Sequence, residues 1–344
     1  MTRLDINTAP IVKRYRFLAT LTVGAVIFLI LVGALVRMTG SGMGCPDWPT
    51  CFGQWIPPTD IDQLPADYKT RFKVAGKEIA DFDAYKTWIE YINRLIGVLI
   101  GFFALITGIV SLGLRKTFPK ATLWSLLGLF MVIVQGGIGA YVVRTNLHTG
   151  MITLHMMIAL AILSVYLMGW LQVRTPYWKI PSMQTAISPQ VIWVGVSVFL
   201  LVVVQVFMGT QVREGVDLIA KSGEDRSGWI AQLTGAYDIH KYFYYLVSAG
   251  IILWVYQLRK QMHLPMVRIL SITLIGTLIG EIALGLGMHH FAIPAWMQPL
   301  HLLGATLLFA AAFTLLMVCR FYLASGPQPA PSLTREIESS GVVQ

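Results

Sequence analysis

His155, His240 and His301 each stand one to two turns inside a long apolar stretch, and Asn93 takes the fourth place of the same pattern. Polar and ionisable side chains in such stretches are costly in lipid and default to functional roles. Their spacing is regular: 301 − 155 is 146 and 240 − 93 is 147. All four lie near the outer ends of their helices, and so at similar depth. Two neutral imidazoles facing each other across a bundle are what six-coordinate haem iron requires, with the flat macrocycle in an apolar slot between helices. His240 and His301 are therefore expected to ligate haem iron. Zinc or copper on the same pair would lack a third protein ligand from Cys or a carboxylate. A lone membrane histidine is more often a hydrogen-bonded core residue; a matched pair in a repeated unit reverses that balance.

The first half is not equivalent. It sets His155 opposite Asn93, and a carboxamide is a poor iron ligand. An incompletely ligated pocket suits a haem that must enter, be altered and leave. Glu90 stands one turn before Asn93 and is expected to share its face. Tyr237 holds that place in the second half, so the acid is specific to the first half and marks it for chemistry. The cations near the outer helix ends (Arg37, Arg94 and Arg144 on one side, Arg213 and Lys241 on the other) are suited to haem propionates. Snorkelling to lipid headgroups is the alternative for each. His263 in an inner loop, and His148, His289 and His290 in outer loops, read as solvated side chains, with His290 opposite Arg144 in the repeat register.

The elements that must position these groups are membrane helices. Of 344 residues, 56% are hydrophobic and only 12% charged, and the mean hydropathy is +0.66, outside the range of soluble domains. A spanning helix needs about 20 apolar residues. Eight such stretches are expected, at 17–37, 91–113, 121–143, 151–172, 190–212, 239–258, 266–287 and 298–322. The alternation of a membrane barrel is not visible. The net charge of +9 does not point to nucleic acid, because Lys13, Arg14, Arg16, Arg115, Lys116, Lys120, Arg174, Lys179, Arg259, Lys260 and Arg268 cluster on one side. By the positive-inside rule both termini are cytoplasmic. Asp5 and the lack of an Arg- and Ser-rich leader argue against a cleaved signal or transit peptide, so a bacterial inner (plasma) membrane is the expected location.

An internal repeat organises the chain. LVGALVR (Leu31 to Arg37) resembles FMGTQVR (Phe207 to Arg213), QGGIG at Gln135 resembles EIALG at Glu281, and LHMMIA at Leu154 resembles LHLLGA at Leu300. Both 281 − 135 and 301 − 155 equal 146, while 213 − 37 is 176 because the first outer loop is longer. Each copy holds an even number of spans, so both have the same orientation. The expected fold is all-α integral membrane, eight transmembrane helices forming two four-helix bundles related by a pseudo-two-fold axis along the membrane normal. The divisions are a cytoplasmic N-terminus 1–16, an N-terminal repeat 17–172 with a long outer loop 38–89, a linker 173–189, a C-terminal repeat 190–322 and a disordered tail 323–344. Cys45 and Cys51 share the first outer loop, where an oxidising compartment favours a short-loop disulfide. Two unpaired thiols are the alternative, and zinc would need further ligands that the loop lacks. Cys319, deep in the last stretch, reads as packing.

The segment VRMTGSGMGCPDWPTCFG, the E-x-x-N-R element at Glu90, the Q-x-x-x-G of the third stretch and the two L-H elements together resemble the haem A synthases of bacteria and mitochondria, over essentially the whole chain. The resemblance implies an oxidoreductase that converts the C8 methyl of haem O to a formyl group, giving haem A for terminal oxidases. It implies haem b on His240 and His301, substrate haem O near Asn93 and His155, a chemical role for Glu90 and a Cys45–Cys51 disulfide. Haem O synthase and oxidase assembly factors are the implied partners. The chain departs from the family at Asn93, where E-x-x-H-R is usual, and lacks a cysteine pair that some relatives carry in the fifth loop. A non-catalytic b-type cytochrome or haem-carrying assembly protein is the alternative that Asn93 favours.

Overall fold

The computed structural model describes residues 9–174, 187–223, 225–233 and 235–325. Residues 1–8 of the expected N-terminal segment, 175–186 of the linker and the tail from 326 lie outside the described residues. Among the described residues eight long helices follow one another: α1 Pro10–Met38, α2 Ala84–Leu112, α3 Pro119–Arg144, α4 Thr149–Arg174, α5 Pro189–Lys221, α6 Ala236–Gln257, α7 Pro265–His290 and α8 Met297–Ser325. Proline opens α1, α3, α5 and α7, where its fixed φ fits the first turn and its missing N–H costs nothing. Asp83 caps α2, accepting from Lys86 N at 3.1 Å.

Seven of the eight are long and apolar enough to cross a membrane, so the chain is a multi-pass membrane protein. The exception is α6. Its early turns carry Asp238, His240, Lys241, Tyr242, Tyr244 and Tyr245, which dilute the apolar content that the expected span 239–258 requires. Large apolar side chains face outward, among them Phe130, Ile133, Trp193, Ile272 and Ile279. That inverts a soluble protein's pattern and suits a hydrocarbon solvent.

Helices α1 to α4 pack in a ring in which each touches the next and α4 returns to α1. Helices α5 to α8 do the same, and the rings meet mainly through α1 against α8, with α4 touching α5 and α8. The best-enclosed span is α8, 56% buried over its most apolar window against 17% for α3 and α7. Hydroxyl pairs join helices where the alternative is an unpaired group in hydrocarbon: Thr22 with Thr107 at 2.9 Å, and Tyr15 with Ser125 at 3.0 Å. Helices approach closely at Gly195, where an added Cβ would lie 2.5 Å from the buried Trp254 indole.

The long outer loop is ordered on the N-terminal end of α2. Cys45 and Cys51 form a disulfide. Beside it Phe52 packs edge-on against Tyr68, Phe72 and Phe82, and one helical turn, Tyr68–Arg71, closes the cluster. Gly44 lies against the backbone of Lys86 and Thr87 so closely that no Cβ fits, and Thr87 Oγ1 donates to Gly44 O at 2.9 Å.

Candidate functional site

His240 on α6 and His301 on α8 face each other. Their ring centroids are 6.3 Å apart and the rings are perpendicular. Two nitrogen–metal bonds of about 2 Å each, with the half-width of each ring added, span just such a gap. The Nδ1 atom of His240 is buried without a hydrogen-bond partner. The donor set and its separation therefore fit a bis-histidine haem.

A recurrent cradle holds these histidines. On α5, Gln205 Nε2 donates to the backbone carbonyl of His240 at 3.1 Å. Four residues on, Gly209 leaves space for the ring: a Cβ there would come within 3.2 Å of His240 Cε1. On α3, Gln135 Nε2 donates to His155 O at 2.8 Å, and a Cβ at Gly139 would lie 3.4 Å from His155 Cε1. On α7, Glu281 and Gly285 repeat the spacing against His301, with Glu281 Oε2 3.1 Å from His301 Nδ1. The fourth copy fails. On α1 the corresponding residues are Leu29 and Gly33, nothing stands within 4 Å of a Cβ at Gly33, and the facing position is Asn93. Gln205 is absent from the sequence reading, although Q-x-x-x-G on two helices, with E-x-x-x-G on a third, is a readable signal.

In the first ring, Asn93 Oδ1 and His155 Nδ1 are each buried and without a hydrogen-bond partner. Glu90 is buried beneath the disulfide loop rather than left open to a slot. Its Oε2 accepts from Cys45 N at 2.9 Å and its Oε1 from Arg94 Nη2 at 2.6 Å. Arg94 in turn donates to the carbonyls of Asp47, Thr50 and Cys45. Glu90 and Arg94 thus tie the Cys45–Cys51 loop to α2.

The remaining cations divide. Arg37 is held by Asp217, with Nε at 3.0 Å and Nη2 at 2.7 Å from Oδ1, while its Nη1 donates to Gln298 Oε1 at 2.7 Å. Arg213 approaches the other oxygen of Asp217 at 3.6 Å, and its Nε and Nη2 are buried without hydrogen bonds. Asp217 thus stands between two cations and joins α1 to α5. Arg144 is exposed at the end of α3. Lys241 Nζ lies 3.4 Å from His289 Nε2, and Tyr237 OH lies 2.6 Å from His289 Nδ1. His289, expected to be solvated, instead packs against Tyr237, because α7 runs to His290 and delivers the ring there. Asp217→Asn should leave Arg37 and Arg213 facing each other with their counter-charge removed. The expected loss is about 1–3 kcal/mol, read as earlier thermal unfolding in detergent.

Residues 16–313 match the model of the COX15-CtaA family, described as cytochrome oxidase assembly protein. The chain belongs to that family. It is 27% identical to the haem A synthase of Shewanella oneidensis over 158 residues, 46% of this chain and 45% of that protein. It is 32% identical to the haem A synthase of Shouchella clausii over 129 residues, 37% and 35% of the two chains. With the haem A synthase of Erythrobacter litoralis it shares 24% identity over 205 residues, 55% of this chain and 59% of the relative. The chain thus spans between about a third and three fifths of the length of these relatives.

Proposed function

We propose that the protein is a haem A synthase, oxidising the C8 methyl group of haem O to a formyl group. The observation that carries the reading is the unequal pair of rings. One holds two histidines at haem-ligating separation; the other holds one histidine, an asparagine and a buried carboxylate. The two cyclic sets of four helices, the shared cradles and the constant offset of 146 support a duplicated bundle of eight spans. In this reading the pseudo-two-fold axis runs along the membrane normal, between repeats 17–172 and 190–322. The charge distribution supports a bacterial inner membrane with both termini cytoplasmic.

In this reading His240 and His301 hold haem b, which when bound supplies one-electron transfer. Arg213 has buried N–H groups without hydrogen bonds, suited to a propionate, and Lys241 lies on the same outer side. Haem O occupies the first ring near His155 and Asn93. Methyl to formyl is a four-electron change. With water as the oxygen source, the methyl carbon gains one oxygen and releases four protons and four electrons. Those electrons would leave one at a time, by way of haem b, to an external one-electron acceptor. A carboxylate near that carbon can accept protons, and Glu90 retains lone pairs beyond those given to Cys45 N and Arg94. Haem O synthase is the source of the substrate, and oxidase assembly consumes the product.

A second reading, a haem carrier without catalysis, is favoured by Asn93. Co-expression with a haem O synthase, in a host that makes no haem A, separates the two. Chromatography of the extracted haems should show haem A or its hydroxylated precursor. Haem O alone, from folded and haem-loaded protein, overturns the first reading.

A further inference from the structure

Three of the four cradles recur, two with glutamine and one with glutamate. Gln135 and Gln205 each spend an amide N–H on the backbone carbonyl of the histidine they support. Glu281, at the same place in the repeat as Gln135, has no N–H to give. Its carboxylate turns to the imidazole instead: Oε2 lies 3.1 Å from His301 Nδ1, an ion-pair distance without hydrogen-bond geometry, and the two side chains are 11% and 25% exposed. A second residue makes room for this. Gly304, one turn beyond His301 on α8, leaves open the volume into which the Glu281 carboxylate projects, and a Cβ there would overlap Oε1. The corresponding position in the first repeat is Ile158. The acid and the glycine that admits it therefore occur together in the ring that holds two histidines, and neither occurs in the other.

A carboxylate on the outer nitrogen of a ligating histidine fixes its tautomer and ring orientation and makes the ring more electron-rich. We propose that Glu281 is a positioning residue that acts through His301. It holds Nδ1 toward itself and Nε2 toward His240, and thereby lowers the reduction potential of the haem bound between them. This rests on the assignment of haem b to His240 and His301. Nothing in the reacting half of the molecule depends on it.

The test is redox potentiometry with optical and low-temperature EPR spectra of the purified, haem-loaded full-length protein. Wild type, Glu281→Gln and Gly304→Ala are compared. Glu281→Gln keeps the shape and removes the charge; Gly304→Ala keeps the charge and displaces it. Both are expected to raise the midpoint potential in the same direction and to shift the low-spin EPR signal. Gln135→Glu, the same exchange in reverse beside His155, should leave the haem b potential unchanged. An unaltered potential in haem-loaded Glu281→Gln overturns the proposal. Should that variant fail to retain haem, Gly304→Ala decides on the same criterion. A wild-type protein without a bis-histidine low-spin spectrum would remove the underlying haem assignment, a different result from an unshifted potential.

Discussion

Glu90→Gln is expected to abolish haem A formation while leaving the haem b spectrum and the Cys45–Cys51 disulfide in place. Loss of a positioned proton acceptor lowers a rate by about 10²- to 10⁴-fold, enough to take product below detection in an extracted-haem chromatogram. Glutamine is the right probe because Glu90 has two functions. Its Oε2 accepts from Cys45 N, which the amide oxygen of glutamine can continue to do. Arg94 keeps its three loop carbonyls. Glu90→Ala is a different experiment. Both variants leave Arg94 without its charged partner, at a site where the two side chains are 5% and 12% exposed, but alanine also removes the acceptor for Cys45 N and every polar atom facing Arg94. Removing one member of a buried pair costs about 3–5 kcal/mol, so the alanine variant should unfold earlier and carry a loosened loop. If Glu90→Gln still yields haem A at the wild-type level, Glu90 is an anchor for the loop and not a participant in the chemistry.

His240→Ala and His301→Ala are each expected to lose the low-spin haem b signal almost completely, whereas His155→Ala keeps it. The expectation follows from the 6.3 Å separation of the two rings: a single imidazole cannot complete the axial pair. The reduced-minus-oxidised difference spectrum of the purified protein reads the result directly. Added imidazole should restore part of the low-spin signal in the alanine variants, because the vacated ring volume admits the free ligand. An unchanged spectrum in either variant would move the haem to another pair of ligands and, with it, the division of labour between the two rings.

Much of this was legible beforehand, for particular reasons. The histidines declared themselves because a polar residue is rare in a 20-residue apolar run and because the copies are separated by a fixed offset. The disulfide followed from two cysteines in one outer loop. What escaped were relations between residues distant in sequence. Glu90 was expected to face the same slot as Asn93; its capture by Cys45, 45 positions earlier, follows from how the loop folds over α2. The bonds of Arg37 to Asp217 and Gln298 join side chains 180 and 261 positions apart, which no local pattern announces. Asp217 is not legible as a partner, because Arg213, Glu214 and Asp217 mark the end of an apolar run that stops at 212. Helix α5 does not end with its apolar content; it continues to Lys221 and sets Asp217 one turn above Arg213. Gln135 and Glu281 were aligned with each other by the repeat, but the partners of their side chains depend on which helix lies opposite.

The composition of α6 bears on how the molecule is made. A segment entering a bilayer is scored residue by residue, and a lysine near the middle of a span costs about 2.5–3.5 kcal/mol, less toward the headgroups. His240 and Lys241 sit in the second turn of α6, beside tyrosines at 242, 244 and 245. The residues that equip this helix to bind iron make it the poorest of the eight at partitioning into lipid unaided. It packs most extensively on α5, whose Gln205 supplies the N–H that meets the His240 carbonyl. During biogenesis α5 and α6 are therefore expected to partition as a hairpin, the strongly apolar first arm carrying the second. A translocation reporter fused after α6 alone should show poor insertion, and one fused after the α5–α6 pair efficient insertion.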